Sequence, residues 1–299
     1  MRRVNCLVGI WVLLAGSLLA GPQALAAPMV VRFWDWGRTP SRDAFQYAAL
    51  KLVLDKTTSG FGPYQLTRVR GDFSTLRVRR EVSEGVHLNV QAGPWRPLDP
   101  NDPLDQRIPV NVPLMDGLLG YRFLLIRRED LPKFQAITSA AQLKAMTAGQ
   151  GRGWTEVDLY RRNGYRVMDS ADIKTLIPML AEKRFDYFPM SVVEIDSALA
   201  LYPALSSRLM VAPNLMISYP FPTIFYVSAR HPTLARRLAT GLVIAQKDGS
   251  LDELLHRHFH KELSAMAAVT RHFSIPSPDV PARLLRPLPL PGRSAAASH

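Results

Sequence analysis

Four tryptophans occupy positions where a small molecule could be held. Trp34 and Trp36 follow the first apolar run, Trp95 follows Gln91 at the end of another, and Trp154 stands in a glycine-rich loop. Ligands of open α/β sheets bind beside the loops that follow strand ends. An indole offers a large flat apolar face, so this pattern indicates stacking on a ligand, although ordinary core packing uses the same residues.

An arginine suited to an anion is Arg107, which opens the run RIPVNVPL. The planar guanidinium fork matches a carboxylate or a phosphate and forms two parallel hydrogen bonds with it. The alternative is a surface arginine paired with Asp102 or Asp105. Both interpretations stay open at this point.

A second binding element is predicted over residues 151–155, which read Gly-Arg-Gly-Trp-Thr and include Gly153. Small residues that lead into a helix direct free backbone N–H groups toward a ligand, and Thr155 is the expected N-cap. The spacing matches neither G-x-G-x-x-G nor a Walker loop, so no nucleotide site is predicted. A plain tight turn before a capped helix is the alternative.

Catalytic and metal-binding patterns are missing from the sequence. His256 and His260 share a helical face, but residue 257 is arginine, so the H-E-x-x-H zinc motif is not formed. No G-x-S-x-G motif is present. We therefore predict no catalytic residue, no metal and no cofactor, and we expect that the protein is not an enzyme.

The first 26 residues have the pattern of a secretory signal peptide. Arg2 and Arg3 precede an apolar core over residues 6–20, and Ala24 and Ala26 provide the small residues of a cleavage site. Cleavage after Ala26 would remove Cys6, the single cysteine, and place the mature chain in the periplasm. An uncleaved N-terminal anchor is the alternative.

The chain is basic, with 37 Lys and Arg against 25 Asp and Glu and a formal net charge of +12. Such a charge can attract nucleic acid, an acidic ligand or an anionic membrane. Because export argues against nucleic acid, we predict no nucleic-acid partner and expect a solvated basic surface. Oligomeric state is not readable from these residues, and a monomer is expected.

Strands alternate with helices along the chain, which predicts an α/β fold with largely parallel sheets. Near the end, a strand over residues 223–228 precedes PTLARRL (232–238), DGSLDEL (248–254) and Phe259. This order resembles the C-terminal end of periplasmic solute-binding proteins of the amino-acid-binding (family 3, type 2) superfamily. Further segments of the resemblance, which spans residues 30–281, are Gly117–Arg122, Gly149–Trp154, Arg184–Phe188 and Glu194-Ile195.

The resemblance implies two lobes, each a largely parallel sheet flanked by helices, with a ligand cleft between them. Lobe 1 is expected to comprise residues 27–120 and 222–282, and lobe 2 residues 121–221. The Pro-rich residues 283–299 are expected to form a disordered tail.

Relatives of this type carry an aspartate for the ligand ammonium where this chain has Ser191, which implies that ordinary amino acids bind poorly. The resemblance implies capture of a small polar or anionic molecule in the cleft for a membrane transporter or sensor. One alternative is a secreted interaction or sensory protein that kept the fold and lost ligand capture. Another is an enzyme on the same fold. The predicted ligand-binding residues are Trp34, Trp36, Gln91, Trp95, Arg107, Gly153, Trp154, Thr155 and Ser191.

Overall fold

The computed structural model describes residues 27–71, 73–170, 173–286 and 288. The predicted signal peptide lies outside the described residues. The described strands are β1 (Met29–Asp35), β2 (Tyr64–Arg70), β3 (Val90–Pro94), β4 (Arg107–Val110), β5 (Tyr121–Arg127), β6 (Thr147–Gly151), β7 (Arg166–Ser170), β8 (Phe188–Ser191), β9 (Leu209–Ser218), β10 (Thr223–Ser228) and β11 (Arg271–Ser274). The α-helices are α1 (Pro40–Lys56), α2 (Thr58–Phe61), α3 (Thr75–Glu84), α4 (Leu131–Gln135), α5 (Ala140–Ala145), α6 (Thr155–Arg162), α7 (Ile173–Ala181), α8 (Ile195–Leu199), α9 (Pro232–Lys247) and α10 (Ser250–Ala267).

Lobe 1 is built on a five-stranded sheet in the order β2-β1-β3-β10-β4. Alternate residues of β1 point to the core, so Val31 and Phe33 are buried. Helix α1 covers the sheet with the apolar face that includes Phe45 and Leu50, and α9 and α10 pack against α1. This packing holds the carboxyl ends of β1 and β3 at the edge that faces lobe 2.

Lobe 2 is built on a four-stranded sheet in the order β11-β9-β5-β8, with the parallel pair β6-β7 beside it. The pair joins the sheet through Ala148, which forms a parallel bridge with Tyr187 just before β8. Helix α7 buries Ile173, Leu176 and Leu180 on one face, at the spacing expected of an amphipathic helix. No helix in the described part of the chain is long and apolar enough to cross a membrane.

The predicted α/β two-lobe fold class is confirmed, and the strand pairing refines it. The sheets are mixed, because β10 runs antiparallel to β3 and β4, and β5 runs antiparallel to β8 and β9. The predicted lobe boundaries stay predictions, but one strand differs from them. Residues 271–274 form β11 and pair with β9 of lobe 2, whereas the expected boundaries put them in lobe 1.

The chain crosses between the lobes twice, at residues 117–120 before β5 and at residues 219–222 between β9 and β10, and these two crossovers run side by side. Gly120 ends the first crossover, and its carbonyl accepts a hydrogen bond from the Tyr219 N–H of the second at 3.2 Å. A Cβ atom on Gly120 would lie 2.0 Å from the Tyr219 carbonyl oxygen and 3.0 Å from the Cβ of Phe221. The close approach of the two crossovers therefore requires glycine at position 120.

The start of the predicted disordered tail is packed on lobe 1. Leu284 is buried against Ile224 and Tyr226 of β10. Arg286 pairs with Asp116 at 3.4 Å and with Asp252 at 3.5 Å. Apolar burial and two ion pairs thus hold residues 284–286, which composition alone had assigned to the tail.

Candidate functional site

A cavity of about 400 Å³ lies between the two lobes. Lobe 1 contributes the ends of β1 and β3 and the start of α3, and lobe 2 contributes the start of α6 and residues around β8. Six of the predicted site residues line this cavity: Trp34, Trp36, Gln91, Gly153, Trp154 and Thr155. The volume falls in the lower part of the range of small-molecule pockets in proteins.

Aromatic rings form one wall of the cavity and also bring the lobes into contact. Trp36 of lobe 1 meets Trp154 of lobe 2 edge to face, with ring centroids 6.3 Å apart. Trp154 in turn stacks on Phe188, and Trp34 lies 6.2 Å from Trp36. A Cβ atom on Gly151 would lie 2.2 Å from the Trp154 ring, so glycine at that position lets the indole pack over the loop.

Four charged side chains form a continuous chain of ion pairs along the cavity. Arg42 of α1 donates from Nη1 to Glu194 Oε1 at 2.5 Å, and this contact joins the two lobes. Arg122 of β5 donates to Glu194 Oε2 at 3.5 Å and to Glu156 Oε1 at 2.7 Å. Two arginines and two glutamates therefore balance one another within the site.

Burial sets the protonation behaviour of this chain of ion pairs. It raises the pKa of the Glu156 carboxyl above its usual value, and Arg122 opposes that rise. Burial alone would lower the pKa of the Arg122 guanidinium, but Tyr219, Glu156 and Glu194 outweigh it and raise that pKa. Arg122 therefore stays charged and needs the carboxylates that surround it.

Gln91 places an amide at the lobe 1 side of the cavity. It lies on β3, directly opposite Tyr226 of β10, and only 8% of it is exposed. Among the described residues, its Oε1 atom has no hydrogen-bond partner. A buried polar atom of this kind is normally paired, and Gln91 is an uncharged side chain of the cavity lining whose amide oxygen lacks such a partner within the described residues.

Arg107 does not line the cavity, which corrects its predicted role as an anchor for the ligand anion. Its Nη2 donates to Asp105 Oδ1 at 2.6 Å, and its guanidinium lies over the Tyr226 ring at 4.9 Å. Trp95 also lies away from the cavity, beside Arg107 in a separate surface pocket. Strand register keeps Arg107 away from the cavity. Arg107 pairs with Ser228, the last residue of β10, whereas the cavity lies near Thr223, the first residue of that strand.

Ser191 is buried at the end of β8 and does not line the cavity, so its predicted contact with a ligand is not formed here. Its backbone N–H donates to Glu194 Oε2 at 3.3 Å. Glu194 does reach the cavity, but Arg42 and Arg122 already occupy its carboxylate. Within the described part of the chain, no carboxylate around Ser191 is therefore free for an ammonium group.

Thr155 and Gly153 line the cavity as predicted, but the expected cap is different. The N-cap of α6 is Trp154, which makes no side-chain capping hydrogen bond. Its N–H donates to the Gly151 carbonyl at 3.0 Å, so that amide is not free for a ligand. The loop thus contributes an indole ring, whereas its Arg152 and Trp154 amides are already paired within the protein.

The ion-pair chain could not be predicted from local patterns, because its members lie far apart in sequence. Arg42 lies on α1, and Glu156 is an acid in the first turn of α6, where acids are common for reasons of helix stability. A usable signal was Arg122, a charged residue within the strongly apolar run after the first crossover. A buried charge in such a run implies a partner elsewhere in the chain.

Among the described residues, no group of three or more His, Cys, Asp or Glu could hold a metal ion.

Several solved structures share the fold of this chain at low sequence identity. No family model matches the chain, and no curated protein matches it. An ancestral arginine-binding protein bound to arginine has a TM-score of 0.52 at 14% identity, over 77% of this chain and 98% of that one. An amino acid ABC transporter substrate-binding protein from Streptococcus pneumoniae, bound to L-arginine, has a TM-score of 0.52 at 11% identity, over 77% and 93%. A histidine kinase sensor domain with similarity to periplasmic binding proteins has a TM-score of 0.51 at 13% identity, over 77% and 95%.

These likenesses show the fold, which is the two-lobe fold of periplasmic solute-binding proteins. The resemblance noted in the sequence is confirmed at that level, and the low identities fit a divergent branch. The same fold serves both transport and sensing in the similar structures, so function must be argued from the site itself.

Proposed function

We propose that this protein is an exported, non-catalytic binding protein that captures a small polar molecule in the cavity between its lobes. The observation that carries the proposal is the 400 Å³ cavity, to which both lobes contribute aromatic and polar side chains. A pocket with apolar walls and a few convergent polar groups is the usual form of a ligand site. The expected location is the periplasm, with delivery to a membrane transporter or sensor.

The proposal is non-enzymatic because the charged groups of the cavity are paired with one another. Glu156 and Glu194 each accept hydrogen bonds from arginine, so neither is placed as a free general base. The similar structures are binding proteins and sensor domains, which supports the same conclusion.

A thermal-shift screen of the purified mature protein against a library of small metabolites tests this function. A ligand at 100 times its Kd stabilises a protein by about 2.7 kcal/mol, which raises the melting temperature measurably. A hit whose effect is lost in Trp154→Ala and kept in Trp95→Ala places binding in the cavity, since Trp95 lies outside it. If no compound stabilises the protein, or if both variants respond equally, capture in this cavity is refuted.

A second candidate function is that of a sensory or interaction protein that works without a captured ligand. The observation in its favour is the Arg42–Glu194 ion pair, which joins the lobes through the protein's own side chains. In this case the arrangement of the lobes would be read by a partner protein. A lobe arrangement that small molecules leave unchanged, but that Glu194→Gln alters, would favour this candidate.

A further inference from the structure

The charges that line the cavity leave little for a charged ligand to bind. Arg42, Glu194, Arg122 and Glu156 pair with one another, and their side chains are 13% exposed or less. The other charged residue of the lining, Arg152, is exposed to solvent. At the four buried members of this chain, a ligand carboxylate or ammonium would have to displace one partner and leave a buried charge uncompensated, which is strongly unfavourable.

The uncharged part of the lining favours a flat ring. Trp36, Trp154 and Phe188 present aromatic surface from both lobes, and Phe73 and Phe221 add to it. Offset stacking and edge contacts between rings add to the free energy of apolar burial. The cavity volume of about 400 Å³ suits a ligand of one or two rings.

The buried Gln91 amide indicates which functional group a bound ring would carry. The Gln91 amide lines the cavity, is more than nine-tenths buried and has an oxygen without a partner among the described residues. An amide binds best to another amide or to a ring edge that offers both an N–H donor and a carbonyl acceptor. Such a group would satisfy Gln91 without adding charge.

We propose that the cavity takes an uncharged, planar aromatic or heteroaromatic molecule with a carboxamide-like edge that hydrogen-bonds to Gln91. The ring stacks on the indole surface of Trp36 and Trp154, and the ion-pair chain stays intact beside it. This inference rests on the proposed capture function and names the chemical class of its ligand.

Matched pairs of probes test the inference on the full-length exported chain. Nicotinamide and nicotinate, and indole-3-acetamide and indole-3-acetate, differ within each pair only by an amide in place of a carboxylate. Binding is measured by calorimetry and by tryptophan fluorescence, since Trp34, Trp36 and Trp154 line the cavity. The amide of each pair should bind at least about tenfold more tightly than the carboxylate, because only the carboxylate disrupts buried ion pairs.

Two glutamine variants provide the residue-level test. Gln91→Leu keeps the side-chain size and should weaken nicotinamide binding by about three- to tenfold, which corresponds to one neutral hydrogen bond. Gln65→Leu, at an exposed position of β2, is the matched control and should leave binding unchanged. Unfolding midpoints of both variants confirm that the fold is retained.

The outcomes separate the ligand class from capture itself. If the carboxylates bind as tightly as the amides, or if Gln91→Leu has no effect, the ligand class is refuted and capture stands. If planar probes fail at millimolar concentration while the metabolite screen finds a non-planar or charged ligand, the class is also refuted. If no compound of any kind binds, both the class and the capture function fail.

Discussion

The ion pair between Arg42 and Glu194 is the contact most open to a quantitative test. The distance between Arg42 Nη1 and Glu194 Oε1 is 2.5 Å, and the side chains are 13% and 9% exposed. Net contributions of hydrogen bonds to charged groups are about 1.5–3 kcal/mol. After either partner is removed, Arg42 keeps Asp43 at 3.5 Å and Glu194 keeps Arg122 at 3.5 Å. We therefore expect a coupling energy of about 2 kcal/mol, in the lower part of that range.

A double-mutant cycle measures this coupling directly. Urea unfolding of the wild type, Arg42→Met, Glu194→Gln and the double variant gives the interaction free energy of the pair. The exposed helical pair Lys51–Asp55, with Lys51→Met and Asp55→Asn, is the matched control and should give about 0.5 kcal/mol or less. In 0.5 M NaCl the coupling of the control should fall further, whereas that of the buried pair should persist.

The reasoning is refuted if the Arg42–Glu194 coupling is no larger than that of the control pair. That result would mean that solvent screens the contact and that it does not hold the lobes together. Small-angle scattering adds an independent measurement, because loss of the pair in Glu194→Gln should increase the radius of gyration of the free protein.

Three further substitutions probe stability. Burial, opposed by Arg286, raises the pKa of Asp116 from 3.8 to about 6, so the folded state binds that proton more tightly than the unfolded chain. The stabilisation from this bound proton is full below about pH 4 and is lost as pH rises through 6. Asp116→Asn should therefore raise the unfolding free energy at pH 7.5 by up to about 3 kcal/mol and change it little at pH 4. Urea titrations at both pH values would measure this difference. Gly120→Ala should cost at least about 2 kcal/mol by the same titration, because its Cβ meets the Tyr219 carbonyl, and an unchanged midpoint would contradict the packing of the crossovers. Leu284→Ala should lower the unfolding free energy by about 2 kcal/mol and speed proteolysis near residue 284. Unchanged stability and proteolysis would mean that this segment is not packed on lobe 1 and belongs to a disordered tail.

Strongly periodic elements could be predicted from sequence with good accuracy. Helix α7 could be predicted at Ile173–Ala181, because its apolar residues recur at helical spacing and bury one face. Helix α3 could not be predicted, since the arginines at 77, 79 and 80 hide the two apolar residues, Val78 and Val82, that it buries. The side chain of Arg79 meets Asp102 and Asp105, which a local pattern cannot reveal.

The candidate site could be predicted only where it follows from strand ends. Trp34 and Trp36 line the cavity because they lie at and just beyond the end of β1, and Gln91 does so because it lies on β3. Arg107 could not be placed, because the register between β4 and β10 is set by long-range pairing. The ion-pair chain was equally hidden, since Arg42 and Glu194 are 152 residues apart and meet only when both lobes are folded.

The same ion pair has different consequences under the two candidate functions. For ligand capture with the pair intact, a contact of about 2 kcal/mol that holds the lobes together without ligand increases the binding-competent fraction, so its loss weakens the apparent affinity by up to about 30-fold. Removal of the Glu194 charge would then weaken binding to the cavity. For a sensory or interaction protein, the pair is itself the signal, because a partner reads the arrangement that it stabilises. The substitution would then abolish the response, so the same variant lowers ligand affinity under the first function and eliminates the partner's response under the second.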